Sequence, residues 1–167
     1  MQHSATHETD RAEAMLLAVD LGVRTGLALY GQDGRLRWYR SQNFGTAARL
    51  RRGVHTLLGE IPHLLWLVLE GGGPLAEIWK RAAERRRIPV RQISAEVWRR
   101  QFLYARQQRS GATAKDAAVA VARDVIVWSQ VRRPTSLRDD TAEAILIGLW
   151  GVPDIGWLTY VPAGIRR

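Results

Sequence analysis

Four acidic residues occupy positions from which side chains of distant segments could meet. Asp20 and Glu70 each end an apolar run that is typical of a buried strand. Asp140 and Glu143 begin a helical segment and, being three residues apart, share one helical face. A carboxylate at the end of a buried strand is costly unless a cation compensates, because burial disfavours its charged form. The pattern therefore predicts a shared metal site.

The chemistry open to such a site is phosphodiester cleavage. Two divalent cations about 4 Å apart can stabilise both the attacking and the leaving oxygen of that reaction. Mg²⁺ prefers oxygen ligands and binds through a few carboxylates together with substrate phosphate. Asp139, four residues before Glu143, could take the place of Asp140 as a ligand.

Each acid taken alone also fits a structural role. Asp20 could accept backbone hydrogen bonds in the glycine turn that follows it. Glu70 could cap the glycine loop at 71–73, and Asp140 with Glu143 matches a capping box. The four acids together, in this order and on these elements, favour the metal site.

Length and composition indicate one globular domain. The chain has 167 residues, 46% hydrophobic and 25% charged, and no apolar run approaches the roughly 20 residues that span a bilayer. The absence of cysteine excludes disulfides and thiolate metal sites. We expect a disordered tail at 1–13, one globular domain at 14–152 and an irregular extension at 153–167. The polar first ten residues lack a signal-peptide core, which predicts a cytoplasmic, nucleoid-associated protein.

The charge balance predicts a polyanionic partner. The formal net charge is +9 and the isoelectric point is near 11.1. Lys80 and Lys115 are the only lysines, and the other cationic residues are arginines, which bind phosphate through two parallel hydrogen bonds. A GC-rich genome would explain the preference for arginine, but not the excess of cations. Nucleic acid is the expected partner.

The order of predicted elements is β-β-β-α-β-α-β-α-α-α, an α/β class. Three strands connected by tight turns predict an antiparallel meander, and the later strands join it through right-handed crossovers. The result is a five-stranded mixed sheet, a three-strand meander plus parallel strands, flanked by helices. Strands one and four can then be neighbours, which would bring Asp20 beside Glu70. The last helix is expected at 140–150.

Several segments resemble the motifs of RuvC-type Holliday-junction resolvases, a family within the RNase H-like superfamily. The segment Ala-Val-Asp-Leu-Gly-Val-Arg-Thr-Gly-Leu-Ala of this chain resembles the first motif of the family, and the segment Leu-Val-Leu-Glu is similar to the second. The last motif, two acids three apart on a small-residue helix, resembles Asp-Asp-Thr-Ala-Glu-Ala-Ile-Leu-Ile-Gly. The matching segments, within residues 15–150, are 18–28, 67–70, 93–100, 114–118 and 139–148.

The resemblance implies an RNase H-like fold and two Mg²⁺ ions per site, with Mn²⁺ able to substitute. It implies a homodimer that nicks two strands of a four-way DNA junction symmetrically, in DNA recombination and repair. Asp20 would bridge the metals, with Glu70, Asp140 and Glu143 completing their coordination. Lys115 would lie near the scissile phosphate, although a solvated helix lysine explains it equally well. Water would attack in line and leave a 5′-phosphate.

Basic and aromatic residues complete the predicted DNA interface. A loop-borne group close in sequence to Lys115 is the expected DNA contact: Arg99, Arg100, Arg106 and Arg109. Trp38, on a half-exposed strand, is the tryptophan expected at an interface or stacked on a base. Trp79, on a helix, is expected in the core.

The chain departs from the family pattern at two places. Glu143 stands where bacterial relatives usually carry Asp, and residues 71–75, Gly-Gly-Gly-Pro-Leu, replace the aromatic wedge that opens the junction. These departures indicate a divergent member, of phage or organelle type.

Three alternatives compete with a junction resolvase. An actin-like sugar kinase shares the Asp-Leu-Gly and Thr-Gly pattern, but its two domains need far more than 167 residues. An RNase H-like nuclease could act on an RNA–DNA hybrid, a flap or a fork. A non-catalytic module could bind branched DNA, although the presence of all four acids argues against it.

Overall fold

A five-stranded mixed sheet forms the centre of the protein, for which the computed structural model describes residues 12–165. The strands are β1 Met15–Asp20, β2 Arg24–Gly31, β3 Leu36–Asn43, β4 Leu64–Glu70 and β5 Val90–Ile93. The helices are α1 Ala47–Glu60, α2 Gly73–Arg85, α3 Ala95–Phe102, α4 Gly111–Ser129 and α5 Asp139–Asp154, with a 3₁₀ turn at Ala105–Gln108.

The sheet has the topology that the element order predicts. Its strand order is β3-β2-β1-β4-β5, in which β1, β2 and β3 form the antiparallel meander. Strand β4 pairs in parallel with β1, and β5 pairs in parallel with β4. The predicted neighbourhood of the first and fourth strands is therefore observed. The register aligns Asp20 directly with Glu70.

Alternation along β1 divides the core between the two faces of the sheet. Leu17 and Val19 pack with helices α1 and α2, whereas Leu16 and Ala18 pack with α4 and α5. Side chains alternate between faces along a strand, so Asp20 follows Leu16 and Ala18 onto the α5 side. Strand periodicity thus determines which face of the sheet carries the acids.

Helix α5 lies directly on the sheet through small residues. A Cβ on Gly148 would lie 2.2 Å from the Tyr30 ring, and one on Gly151 would lie 2.9 Å from Val68. The Tyr30 hydroxyl donates a 2.6 Å hydrogen bond to the carbonyl of Ile145. The helix is therefore buried around most of its circumference, and its position over β1, β2 and β4 is tightly constrained.

Helix α5 is longer than the sequence predicts. It continues past Trp150 to Asp154, with Pro153 inside its last turn, so the expected end at 150 is wrong. Gly151 and Pro153 are typical helix breakers, but the fully buried Val152 anchors this turn in the core. The irregular segment begins at Ile155 and still buries Val161 and Ile165.

Most of the predicted N-terminal tail lies outside the residues that the structure describes. Residues 1–11 of the predicted disordered tail lie outside the described residues, while Glu13 accepts a 3.1 Å hydrogen bond from Nε of Arg37. Among residues 12–165, no helix combines the length and apolarity needed to cross a membrane.

Gly26 allows the first turn of α5 to approach the sheet beside Asp20. It pairs with Asp20 across β1 and β2. A Cβ at this position would lie 1.9 Å from the backbone carbonyl oxygen of Asp140. A side chain here would push the start of α5 away from the end of β1.

We predict that Gly26→Ala lowers the free energy of unfolding by about 1–3 kcal/mol, because the added methyl overlaps backbone that cannot rotate away. Urea unfolding in EDTA measures the change. The matched control is Gly111→Ala in the first turn of α4, where the new methyl would meet nothing within 4 Å. The control should be neutral or gain about 0.5 kcal/mol. Equal losses in both variants would contradict the close approach at Gly26.

Candidate metal centre

The carboxyl ends of β1 and β4 place two acids side by side. Asp20 is the last residue of β1, Glu70 is the last residue of β4, and the parallel register aligns them. Both side chains face the α5 side, where each remains only partly exposed. Two carboxylates from segments 50 residues apart thus meet at one edge of the sheet, as the sequence predicts.

Glu143 reaches the same point from the first turns of α5. Carboxylate oxygens of Asp20, Glu70 and Glu143 all lie within 4.8 Å of one another. The Glu143 side chain is only 12% exposed. Three anionic groups therefore share a small, partly desolvated volume.

The electrostatics of this cluster disfavour three simultaneous negative charges. Burial, with repulsion from Glu143 and Glu70 added, raises the pKa of Asp20 from 3.8 to about 9. Burial also raises the pKa of Glu70 and that of Glu143, while the positive charge of Arg99 opposes both shifts. A divalent cation would remove this penalty by restoring charge balance.

Asp140 lines the rim of the cluster. Its Oδ2 accepts a 2.5 Å hydrogen bond from the Ser41 hydroxyl, and its Oδ1 accepts one of 2.8 Å from the Thr141 amide. The N-cap of α5 is Arg138, so the structural alternative of a capping box beginning at Asp140 is not realised. Asp140 is close enough to Asp20 to contribute to its raised pKa.

Asp139 is more exposed than Asp140, whose side chain is 14% exposed. The Asp139 side chain is 53% exposed, and its nearest cation is the Nζ of Lys115, at 3.9 Å from Oδ2. Of the two adjacent aspartates, Asp140 is therefore better placed to act beside Asp20.

Ser41 is a site residue that the sequence analysis missed. It lies on β3 and aligns with Gly26, which in turn aligns with Asp20 and Glu70. One row of residues thus crosses four strands on the α5 side. No local motif marks this serine, and only the sheet register could have identified it.

An open cleft of about 450 Å³ leads to the acids. It is lined by Asp20, Asp139, Asp140 and Glu143 together with the cationic side chains of Arg24, Lys115 and Arg138. Lys115 thus lines the same cleft as the acids. Arg24 and Arg138 are further cations of the cleft that the sequence analysis did not single out.

The prediction that the basic group is loop-borne is wrong for Arg99 and Arg100, which lie on α3. The Arg99 guanidinium lies at the cluster, with Nη2 3.5 Å from Oε1 of Glu143. Arg100 is exposed and pairs with Glu96 on the same helix. Arg106 lies 4.9 Å from the Tyr104 ring centroid, and Arg109 is exposed at the end of the 3₁₀ turn.

The two tryptophans singled out in the sequence occupy different environments. Trp79 is fully buried between α2 and the sheet, as expected. Trp38 is half-buried on edge strand β3, with the Arg40 guanidinium 4.8 Å from its ring centroid.

The donor set fits a divalent cation of the hard, oxygen-binding type. The converging ligands are carboxylate oxygens, and among the described residues no histidine belongs to the cluster. Asp20, Glu70 and Glu143 could hold ions directly, with Asp140 one helical turn from Glu143. An open cleft beside them leaves room for a phosphate group.

Comparison with known proteins identifies the fold. No protein-family model and no curated protein matches the sequence. The fowlpox virus Holliday junction resolvase superposes with a TM-score of 0.64 at 16% identity, covering 84% of this chain and 99% of that one. Its complex with substrate Holliday junction DNA gives 0.58 at 17% identity, covering 85% and 99%. The yeast mitochondrial Holliday junction resolvase Ydc2 gives 0.55 at 14% identity, covering 83% and 79%.

These matches confirm the predicted RNase H-like fold and the resemblance to Holliday junction resolvases at the level of structure. The low identities are those of a divergent sequence. The fold is therefore shared with these proteins although most of the sequence differs.

We predict that Asp20→Asn stabilises the protein in EDTA at pH 8 by at least about 1 kcal/mol. The folded-state pKa of Asp20 lies above its ordinary value, so wild-type stability falls as pH rises from about 4 to about 9. The amide carries no charge, so neither burial nor repulsion by the other acids penalises it. Urea unfolding from pH 4 to 9 should show the gap between the two proteins widening with pH.

Mg²⁺ should then stabilise the wild type and have little effect on Asp20→Asn, because only the wild type binds the ion well. Asp124→Asn, which removes an exposed carboxylate from α4, is the charge-matched control and should follow the wild type. A difference in the free energy of unfolding between the two proteins that stays constant across this pH range would contradict the raised pKa of Asp20.

Proposed function

We propose that this chain is a metal-dependent, structure-selective endodeoxyribonuclease that resolves four-way DNA junctions by paired symmetric nicks. The observation that carries the proposal is the convergence of three carboxylates within 4.8 Å, two of which, Asp20 and Glu143, line an open cleft bordered by cationic side chains. The resolvase fold of the chain supports the same substrate class.

The chemistry proposed for the bound ions is activation of water for in-line attack, which leaves a 5′-phosphate and a 3′-hydroxyl. Asp20, whose carboxylate lies within 4.8 Å of those of both other acids, would hold the Mg²⁺ ions, two per site, with Mn²⁺ able to replace them. Glu70 and Glu143 would complete the coordination together with Asp140. Ser41 would fix the orientation of Asp140 through its 2.5 Å hydrogen bond.

Cationic side chains would hold the DNA backbone at the cleft. Lys115 and Arg24 line the cleft and have exposed side chains that can reach a phosphate. Arg106 and Arg109, in and after the 3₁₀ turn, would extend this contact, with Arg100 at its edge. Phosphate contacts fix the register of the DNA on the protein, whereas the acids perform the cleavage.

Paired nicks require two active sites. A four-way junction has approximate two-fold symmetry, and a homodimer would present its two sites to strands of like polarity. We therefore propose a homodimer as the active species.

The alternative substrates share this chemistry and differ in shape. An RNA–DNA hybrid, a flap or a fork could be cut by the same acids, and a non-catalytic module would bind branched DNA without cutting it. Matched four-way, flap, duplex and hybrid substrates, each with Mg²⁺, Mn²⁺ or EDTA, distinguish these functions. We expect selective cutting of the four-way substrate that requires a divalent ion.

We predict that Asp20→Asn reduces cleavage of a four-way junction at least about 100-fold, which corresponds to roughly 2.7 kcal/mol. Junction affinity in EDTA should change by no more than about threefold, because cations of the cleft bind the backbone. Single-turnover cleavage and gel-shift titration measure the two quantities. Asp124→Asn should cleave at the wild-type rate. Normal cleavage by Asp20→Asn would reject the assigned site.

We predict that the double change Arg24→Gln with Lys115→Gln makes the negative slope of log affinity against log salt shallower by up to about two units. Each neutralised phosphate contributes about one unit to that slope. The matched control is Arg81→Gln with Arg85→Gln, which line a different groove between α1 and α2. Both variants lose two positive charges. A larger slope change in the control would place the DNA on the α1–α2 side.

A further inference from the structure

Arg99 differs from the other arginines predicted to bind DNA. It lies on α3, which is anchored in the α5-side core by Trp98 and Phe102. Its side chain is 30% exposed, whereas that of the neighbouring Arg100 is 76% exposed. The packing of α3 therefore turns Arg99 inward and leaves Arg100 in solvent.

The guanidinium of Arg99 contacts the acidic cluster. Its Nη2 lies 3.5 Å from Oε1 of Glu143, and its charge also acts on Glu70. The guanidinium also lies over the Trp98 ring, with its Cζ 5.3 Å from the ring centroid. Its Nε is buried and has no hydrogen-bond partner among residues 12–165. If Arg99 bound only DNA backbone phosphates, its N–H donors would be expected to be exposed to solvent.

We infer that Arg99 is a positioning residue of the site, a built-in counter-charge that holds Glu143 in place and offsets the negative charge of the acids before a divalent cation arrives. The inference rests on the proposed function only in taking these acids as the cation ligands. Arg99 acts through the acids, so its role is separate from binding DNA phosphates.

A built-in counter-charge has two linked consequences. It stabilises the metal-free protein, because it offsets repulsion among the acids. It also weakens divalent-cation binding, because the incoming ion meets a positive charge already paired with its ligands. The two effects are reciprocal: the stability lost in EDTA when Arg99 is neutralised should return when the cation binds.

The test compares Arg99→Met, Arg99→Lys and Arg100→Met as full-length chains, with Ca²⁺ as the probe. Calorimetry measures Ca²⁺ affinity, urea unfolding with and without Ca²⁺ measures stability, and gel shift in EDTA measures junction affinity. Arg100→Met is the matched control, because it removes the same charge from the next position on the same helix.

We expect Arg99→Met to bind Ca²⁺ at least about fivefold more tightly than the wild type and to unfold at lower urea in EDTA but not in Ca²⁺. Arg99→Lys, which keeps the charge, should restore the wild-type Ca²⁺ affinity. Arg100→Met should match the wild type in both measurements. In EDTA, Arg99→Met should lose no more junction affinity than Arg100→Met does.

Two results would overturn the inference. Unchanged or weaker Ca²⁺ affinity in Arg99→Met would show that Arg99 does not oppose the cation. A loss of junction affinity in EDTA much larger than that of Arg100→Met would make Arg99 a phosphate contact. A wild type that binds no divalent cation would reject both this inference and the proposed function, whereas Ca²⁺ binding without DNA cleavage would reject the function alone.

Discussion

The burial and mutual repulsion of neighbouring carboxylates is the constraint on which the organisation of this protein depends. Three carboxylate oxygens from β1, β4 and α5 share a volume less than 5 Å across. The pKa of Asp20, raised to about 9, shows that the folded chain alone does not balance their charge. Such an arrangement lowers the stability of the metal-free protein, and a site that tolerates this strain is expected to be functional.

The surrounding scaffold is built to hold the acids together despite this repulsion. Gly26 lets the first turn of α5 press against the sheet, and Gly148 and Gly151 keep the rest of the helix in contact. Burial of apolar side chains on both faces of the sheet offsets the unfavourable free energy of the site. Arg99 partly offsets the charge of Glu143. Rigid packing thus maintains a local arrangement that electrostatics opposes.

The same arrangement separates two tasks between two kinds of residue. Under the proposed function, the acids beside the cleft would hold cations for cleavage, while Arg24 and Lys115 at its border would bind the DNA backbone. The fold shared with viral and mitochondrial Holliday junction resolvases persists at 14–17% identity. A few precisely placed residues on a tolerant scaffold are compatible with such divergence.

The sequence by itself determined the element order, the strand topology and the meeting of Asp20 with Glu70. It could do so because apolar periodicity and connection rules act over short, regular segments. Only the tertiary structure showed that Ser41 bonds Asp140, that Arg99 turns towards Glu143, and that α5 continues through Pro153. These features depend on packing between distant elements. A polar or charged residue on a helix or strand has no periodic signal that tells which neighbour it will meet once the core has formed.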